Sequence, residues 1–156
     1  MTALAEDMIE VPTYVVGFLF DELMEHVVLL RKNKPAWQEG RLNGPGGKVE
    51  FGELDDEAMI REYHEETGIL HRDWYRFCRL NDIRKYSVQF FFGRAPWEII
   101  EVASDPNRSE AVGVFRVADL GKRPDILPNL TWLIPMALTI AKGLDSIEHF
   151  TVNEDR

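Results

Sequence analysis

Glu62, Glu65 and Glu66 stand at i, i+3 and i+4. On an α-helix that spacing gathers three carboxylates on one arc of about 100°. They belong to the stretch from residue 47 to 69, GKVEFGELDDEAMIREYHEETGI. It holds eight carboxylates (Glu50, Glu53, Asp55, Asp56, Glu57, Glu62, Glu65 and Glu66), with Lys48 and Arg61 to offset them. Like charges three or four apart on a helix cost roughly 0.2–0.5 kcal/mol per pair. Such crowding calls for a partner, most simply a hard divalent cation, which prefers oxygen ligands. Met59, Ile60 and Tyr63 fall on a neighbouring arc that can face a core, so the helix has a packing side and a ligand side. Ahead of it, Gly44-Pro45-Gly46-Gly47 lets the backbone approach a metal or a phosphate where a side chain would obstruct. Alone, that run is only a turn-rich loop.

Several elements must position these groups. Residues 11 to 20 and 26 to 30 are rich in β-branched, aromatic and aliphatic residues and read as strands, with a turn between. Residues 32 to 47 read as loop, punctuated by Pro35, Gly40, Gly44, Pro45, Gly46 and Gly47. Residues 55 to 67 read as helix, with acids in the first turn and Gly68 as C-cap. Further strands are expected at 74–80, 85–94 and 111–117. A second helix is expected at 130–142, entered through Pro128 and Asn129 and interrupted by Pro135. Residues 149–152 form a short edge strand or fray. Strands grouped with two helices imply an α+β fold, an α/β/α sandwich. No linker or repeat divides the chain, so residues 1–156 are expected to form a single domain.

The stretch resembles the Nudix box: Gly, five residues, Glu, seven residues, then Arg-Glu-U-x-Glu-Glu-x-Gly-U, with U a bulky aliphatic. Gly47, Glu53, Arg61, Glu62, Glu65, Glu66, Gly68 and Ile69 match, and Tyr63 departs by being aromatic. A tyrosine can pack there if its hydroxyl finds water or a partner. The resemblance implies a mixed β-sheet between helices, with the box as loop–helix–loop. It also implies metal binding by the Gly46 carbonyl, Glu65 and Glu66, with Glu62 as metal ligand or general base and Glu53 in support. The cation expected is Mg²⁺, with Mn²⁺ as the alternative. Arg61 either orients a catalytic carboxylate through a bidentate salt bridge or forms a surface ion pair. Glu110 stands where nucleotide-cleaving relatives carry a further acidic ligand, or it is an exposed loop acid. The implied reaction is metal-assisted hydrolysis of a phosphoanhydride.

Residues outside the box set the substrate. The run from Leu42 to Val49 resembles that of MutT-type nucleoside triphosphate pyrophosphohydrolases, including those that remove oxidised purine nucleotides. In those relatives, side chains flanking the loop, here Asn43, and an Asn or Asp opening the last helix, here Asn129, read the base. Asn129 is equally suited to a simple helix N-cap. Lys32 either reaches a phosphate or the base, or is solvated. Trp37 and Phe90 or Phe92 offer stacking faces or belong to the core. Trp132 follows Asn129 by three and shares its face. ADP-ribose or dinucleoside polyphosphate cleavage is the alternative: no proline marks the region from Leu80 to Arg84, which weakens the former, and Tyr86 keeps the latter alive. A nucleotide-sensing module without catalysis is a further reading, and the retained box glutamates and Arg61 count against it.

The totals bound the rest. The chain has 156 residues, is 45% hydrophobic and 29% charged, and carries a net charge of −9. That composition is globular, and the charge argues against bulk nucleic-acid binding. A bound metal can still invert the local sign for a small nucleotide. A single cysteine, Cys78, leaves no internal disulfide and fits a cytoplasmic location. The start, MTALAEDMIE, lacks the basic and apolar regions of a signal peptide. The apolar run from Leu130 to Ala141 is too short to cross a bilayer. The family includes homodimers, which leaves that state open here.

Overall fold

The computed structural model describes residues 11–82, 85–104, 107, 111–143 and 149–154. In chain order the strands and helices are β1 (Thr13–Phe20), β2 (His26–Arg31), β3 (Leu42–Asn43), β4 (Gly46–Lys48), α1 (Asp55–Thr67), β5 (Tyr75–Asp82), β6 (Tyr86–Arg94), α2 (Trp97–Ile100), β7 (Ala111–Arg116), α3 (Leu130–Ala141) and β8 (Phe150–Glu154). One mixed sheet runs β3-β2-β1-β6-β5-β8, with β4 on β1 and β7 on β2. The β1–β6 and β5–β8 pairs are parallel and the others antiparallel.

Both faces of the sheet are covered, and β1 shows why its sequence is apolar throughout. Val15 and Leu19 point to one side, where they pack with Ala58, Met59 and Tyr63 of α1 and Ile100 of α2. Phe18 and Phe20 point to the other, where they pack with Leu130, Leu133 and Ala137 of α3. Strand β6 repeats the alternation: Phe91 faces α1, while Phe90 and Phe92 face α3. The α/β/α sandwich is therefore present.

Local chemistry fixes α1. Asp55, Asp56 and Glu57 occupy its first turn, where the helix dipole favours negative charge. The Glu57 carboxylate accepts the Leu54 N–H at 3.0 Å, satisfying a donor that the helix leaves exposed. Gly68 ends the helix at φ 76°, in the left-handed region that suits glycine, with its N–H on the His64 carbonyl at 2.8 Å. Its packing side is centred on Ala58, Met59 and Tyr63, and Ile60 is only half-buried. Arg79 donates to Asp55 at 2.7 Å and Arg76 to Asp56 at 3.0 Å, tying this first turn to β5.

Two local expectations are corrected, one open alternative is resolved and one short helix is added. The segment expected to be loop contains β3 and β4, because Leu42 is buried and its neighbourhood pairs with β2 while Gly46–Lys48 pairs with β1. Helix α3 runs through Pro135 without interruption. The bond that Pro135 forgoes would end on Thr131, an exposed residue whose carbonyl can reach solvent. The tail forms an ordered edge strand, β8, rather than fraying. Trp97–Ile100 forms a short helix after Pro96 that periodicity did not reveal.

Candidate active site

Arg61 organises the acidic helix. Its Nε donates to Glu53 Oε2 at 2.7 Å and its Nη2 to Glu53 Oε1 at 2.9 Å, a bidentate pair. Nη1 donates to Glu62 Oε1 at 2.8 Å and to Glu65 Oε2 at 3.4 Å. Nη2 also reaches the Lys48 carbonyl at 3.1 Å, joining α1 to β4. The Arg61 and Glu53 side chains are only 25% and 14% exposed, so this is not a loose surface ion pair. Glu53 also accepts the Glu50 N–H at 3.1 Å, which fixes the turn before the helix. The Arg61 hydrogen bond holds the Glu53 carboxyl below the usual glutamate range, against the opposing effect of burial. The same contact raises the Arg61 guanidinium further above its ordinary value. Both charges are therefore fixed across the working pH range.

Glu62 lies against Gly47. A β-carbon at position 47 would overlap the Glu62 carboxylate, so the glycine is what admits that side chain. Gly46 and Gly47 are held in β4 opposite Val16 and Val15. Glu65 is exposed, and Glu66 is half-buried with Oε2 shielded from solvent. The Glu66 charge acts on the buried Tyr63 hydroxyl. Burial first, and the Glu66 charge second, push that hydroxyl well above its normal range. The Tyr63 hydroxyl is buried and makes no hydrogen bond, so the aromatic departure from the box is packed but not satisfied.

The donors fit a hard cation by chemistry: Glu62, Glu65, Glu66 and the Gly46 carbonyl are all oxygen ligands. Among the described residues, however, no three acidic, histidine or cysteine side chains converge as a finished cage. Glu62 and Glu65 turn toward Arg61 instead. Loading the site would require these carboxylates to draw together. Glu110 lies outside the described residues.

A second concave region, of about 510 Å³, is lined by Trp37, Leu80, Tyr86, Leu127, Pro128, Asn129, Trp132 and Glu154. Asn129 precedes α3, yet its side chain makes no capping hydrogen bond. Its Oδ1 is buried with no partner, so the cap role is not used. Trp37 and Trp132 are 64% and 36% exposed. The loop that carries Trp37 is tied to the segment that leads into Asn129. Arg31 donates to Asp125 at 3.0 Å and to the Gly40 carbonyl at 2.6 Å, and Leu42 exchanges backbone hydrogen bonds with Asp125 and Leu127. Arg123 first, then Arg31, hold the Asp125 carboxyl far below its usual range. From Leu42, five residues lead to Gly47 beside Glu62, a reach of at most about 18 Å. The acidic helix and the aromatic pocket are thus anchored to one short segment.

Not every expected residue joins them. Phe90 is 2% exposed and stacks on Phe18 with centroids 6.2 Å apart, so it packs the core and offers no face to a ligand. Phe92 is likewise buried, against Tyr75. Asn43 is 7% exposed, and its Oδ1 accepts the Gly44 N–H at 2.8 Å, shaping its own turn. Lys32 is half-buried beyond β2, with its backbone on Arg41, and it does not line the pocket. Glu154 was missed. A terminal acid on a short strand carries no sequence signal that separates it from a solvated one.

Residues 11–133 match the family pattern described as the NUDIX domain. Among curated relatives, the 8-oxo-dGTP diphosphatase of Escherichia coli (strain K12) is 35% identical over 65 residues, 42% of this chain and 50% of that protein. The ADP-ribose pyrophosphatase of Methanocaldococcus jannaschii is 37% identical over 59 residues, 38% of this chain and 34% of that protein. The aligned stretch therefore spans half or less of either relative. The solved structure of the MutT protein from Bacillus halodurans superposes with a TM-score of 0.63 at 21% identity, covering 92% of this chain and 90% of that one. It shares the fold.

Proposed function

The chain belongs to the NUDIX domain family, and from that premise we propose that it hydrolyses a nucleoside triphosphate to the monophosphate and pyrophosphate. The purine (d)NTPs, oxidised forms included, are the favoured substrates. The observation that carries this reading is the pairing of two features on one short segment. One is a carboxylate set organised by Arg61, and the other is an aromatic pocket with an unpaired amide oxygen.

Nudix hydrolases as a class use a divalent metal, and Mg²⁺ is the proposed ion here, with Mn²⁺ as the alternative. Glu65, Glu66, Glu62 and the Gly46 carbonyl would hold it. What a bound cation supplies is neutralisation of phosphate charge and a lowered pKa for an attacking water. Glu62 would either complete that ligand set or accept a proton from the attacking water. The water oxygen bonds to phosphorus, the bridging P–O bond breaks, and pyrophosphate leaves. Glu53 acts through Arg61, whose planar fork leaves Glu62 one orientation. Trp37 and Trp132 sandwich or flank the base, and the Asn129 amide reads its edge.

A second reading, cleavage of ADP-ribose, is favoured by the match to the archaeal ADP-ribose pyrophosphatase. Products distinguish the two. With Mg²⁺, the (d)NTPs, 8-oxo-dGTP, ADP-ribose and a diadenosine polyphosphate should be compared. Monophosphate plus pyrophosphate from a triphosphate supports the first reading. AMP plus ribose phosphate from ADP-ribose replaces it with the second. Nucleotide binding without turnover would turn the reading toward a sensor.

A further inference from the structure

We propose that Glu154, on the last strand, selects the base by accepting hydrogen bonds from it, favouring guanine over adenine. The inference deepens the proposed function and rests on the aromatic pocket being the base site.

The strand geometry places the carboxylate. Strand β8 runs parallel to β5 at the sheet edge, with Leu80 opposite Val152 and Asp82 opposite Glu154. Side chains alternate along a strand. Phe150 and Val152 are half-buried against the cluster that includes α3, while Thr151 and Asn153 are exposed. Glu154 continues the inward series and is half-buried. It lines the same pocket as Asn129, Trp37 and Trp132.

The chemistry of the pocket then narrows the ligand. Stacking on tryptophan tolerates every base, so discrimination falls to the polar groups. An ionised carboxylate only accepts hydrogen bonds. The Asn129 Oδ1 is a second acceptor, buried and without a partner. A base that answers both must present donors. Guanine offers the ring N1–H and the exocyclic amino group side by side, which suits a carboxylate. Adenine sets a ring acceptor beside its amino group, and uracil and thymine flank one N–H with two carbonyls. Facing a carboxylate, those acceptors are left unpaired, which is worth about ten- to a hundred-fold in affinity. The same negative charge repels phosphate from this end of the site and so orients the nucleotide, base toward β8.

The test compares wild type, Glu154→Gln and Glu154→Asp, with Thr151→Ala as a control on the exposed side of β8. Two readouts are taken: kcat/KM for dGTP, dITP and dATP, and quenching of tryptophan fluorescence by GMP, IMP and AMP, which needs no turnover. Wild type should favour guanine over adenine by tenfold or more, with the hypoxanthine nucleotides, which lack the amino group, between them. Glu154→Gln should collapse that ratio, because its amide can also donate. Glu154→Asp should keep part of it, and Thr151→Ala all of it. Circular dichroism confirms that each variant is folded. A guanine preference that survives in folded Glu154→Gln overturns the proposal, as does a wild type that ranks adenine equal to or above guanine or binds none of the monophosphates. Failure to hydrolyse any triphosphate removes the proposed function alone. A GMP preference abolished by Glu154→Gln would still uphold Glu154 as the base reader.

Discussion

The carboxylate of Glu62 packs against Gly47 so closely that no β-carbon fits between them. The glycine of β4 is thus part of the acid site although it has no side chain to offer. Gly47→Ala should push Glu62 out of its bond with Arg61. Displacing a group that orients a metal ligand typically costs 10–100-fold in metal affinity or activity. We expect a loss of about that size in turnover at saturating nucleotide, with the far-UV spectrum unchanged. Wild-type kinetics in Gly47→Ala would show that Glu62 is not held by this contact.

Glu53 and Arg61 supply a second prediction. Arg61→Lys keeps the charge but loses the fork that spans both Glu53 oxygens and reaches Glu62. Turnover should fall by about 10–100-fold, measured as pyrophosphate release. Acid stability follows from the same pair. The folded-state value of Glu53 lies below its ordinary 4.5, so its contribution is present above that pH and is lost as pH falls through the folded value. The difference in Tm between wild type and Glu53→Gln should therefore narrow below about pH 4.5. A constant difference down to pH 3 or so would place the stabilisation elsewhere.

How much of this was legible depended on the range of the interaction. The bounds of α1 could be read from Asp55, Asp56 and Glu57 at its start and Gly68 at its end, because capping is local. The shared face of Asn129 and Trp132 followed from helical spacing, and both do line the pocket. Phe90 could not be placed. The run VQFFF alternates between two faces that are both core, and alternation alone does not say which ring is left open. The clasp of Arg31 on Asp125 joins residues 94 apart, and Glu154 reaches the pocket only because β8 returns to lie beside β5. No local pattern encodes either.

Tyr63 gives a stability prediction. Its hydroxyl is buried and makes no hydrogen bond. Leaving such a group unsatisfied costs about 1–3 kcal/mol. Tyr63→Phe removes the hydroxyl and keeps the ring on Trp74, 4.8 Å away centroid to centroid. The variant should melt a few degrees higher, about 2–4 °C per kcal/mol for a chain of this size. A lower Tm would mean that the hydroxyl has a partner in solution.

Asn129 separates two roles by two readouts. Loss of a helix cap costs about 1 kcal/mol, whereas its side chain makes no capping bond here. Asn129→Ala should leave Tm unchanged within error. It should change the ranking of bases in kcat/KM more than it changes kcat. A Tm loss with the ranking intact would return Asn129 to the helix.

The central claim is that the Arg61-organised carboxylates hydrolyse a nucleoside triphosphate with the help of a divalent cation. The most direct measurement is product identity from dGTP and 8-oxo-dGTP with Mg²⁺, for wild type and Glu65→Gln side by side. The account predicts monophosphate and pyrophosphate in equal amounts from wild type, none without the cation, and a loss of at least about 10²-fold in Glu65→Gln, in line with the several kcal/mol a catalytic metal contributes. Orthophosphate as the only inorganic product, or full activity in Glu65→Gln, would contradict it.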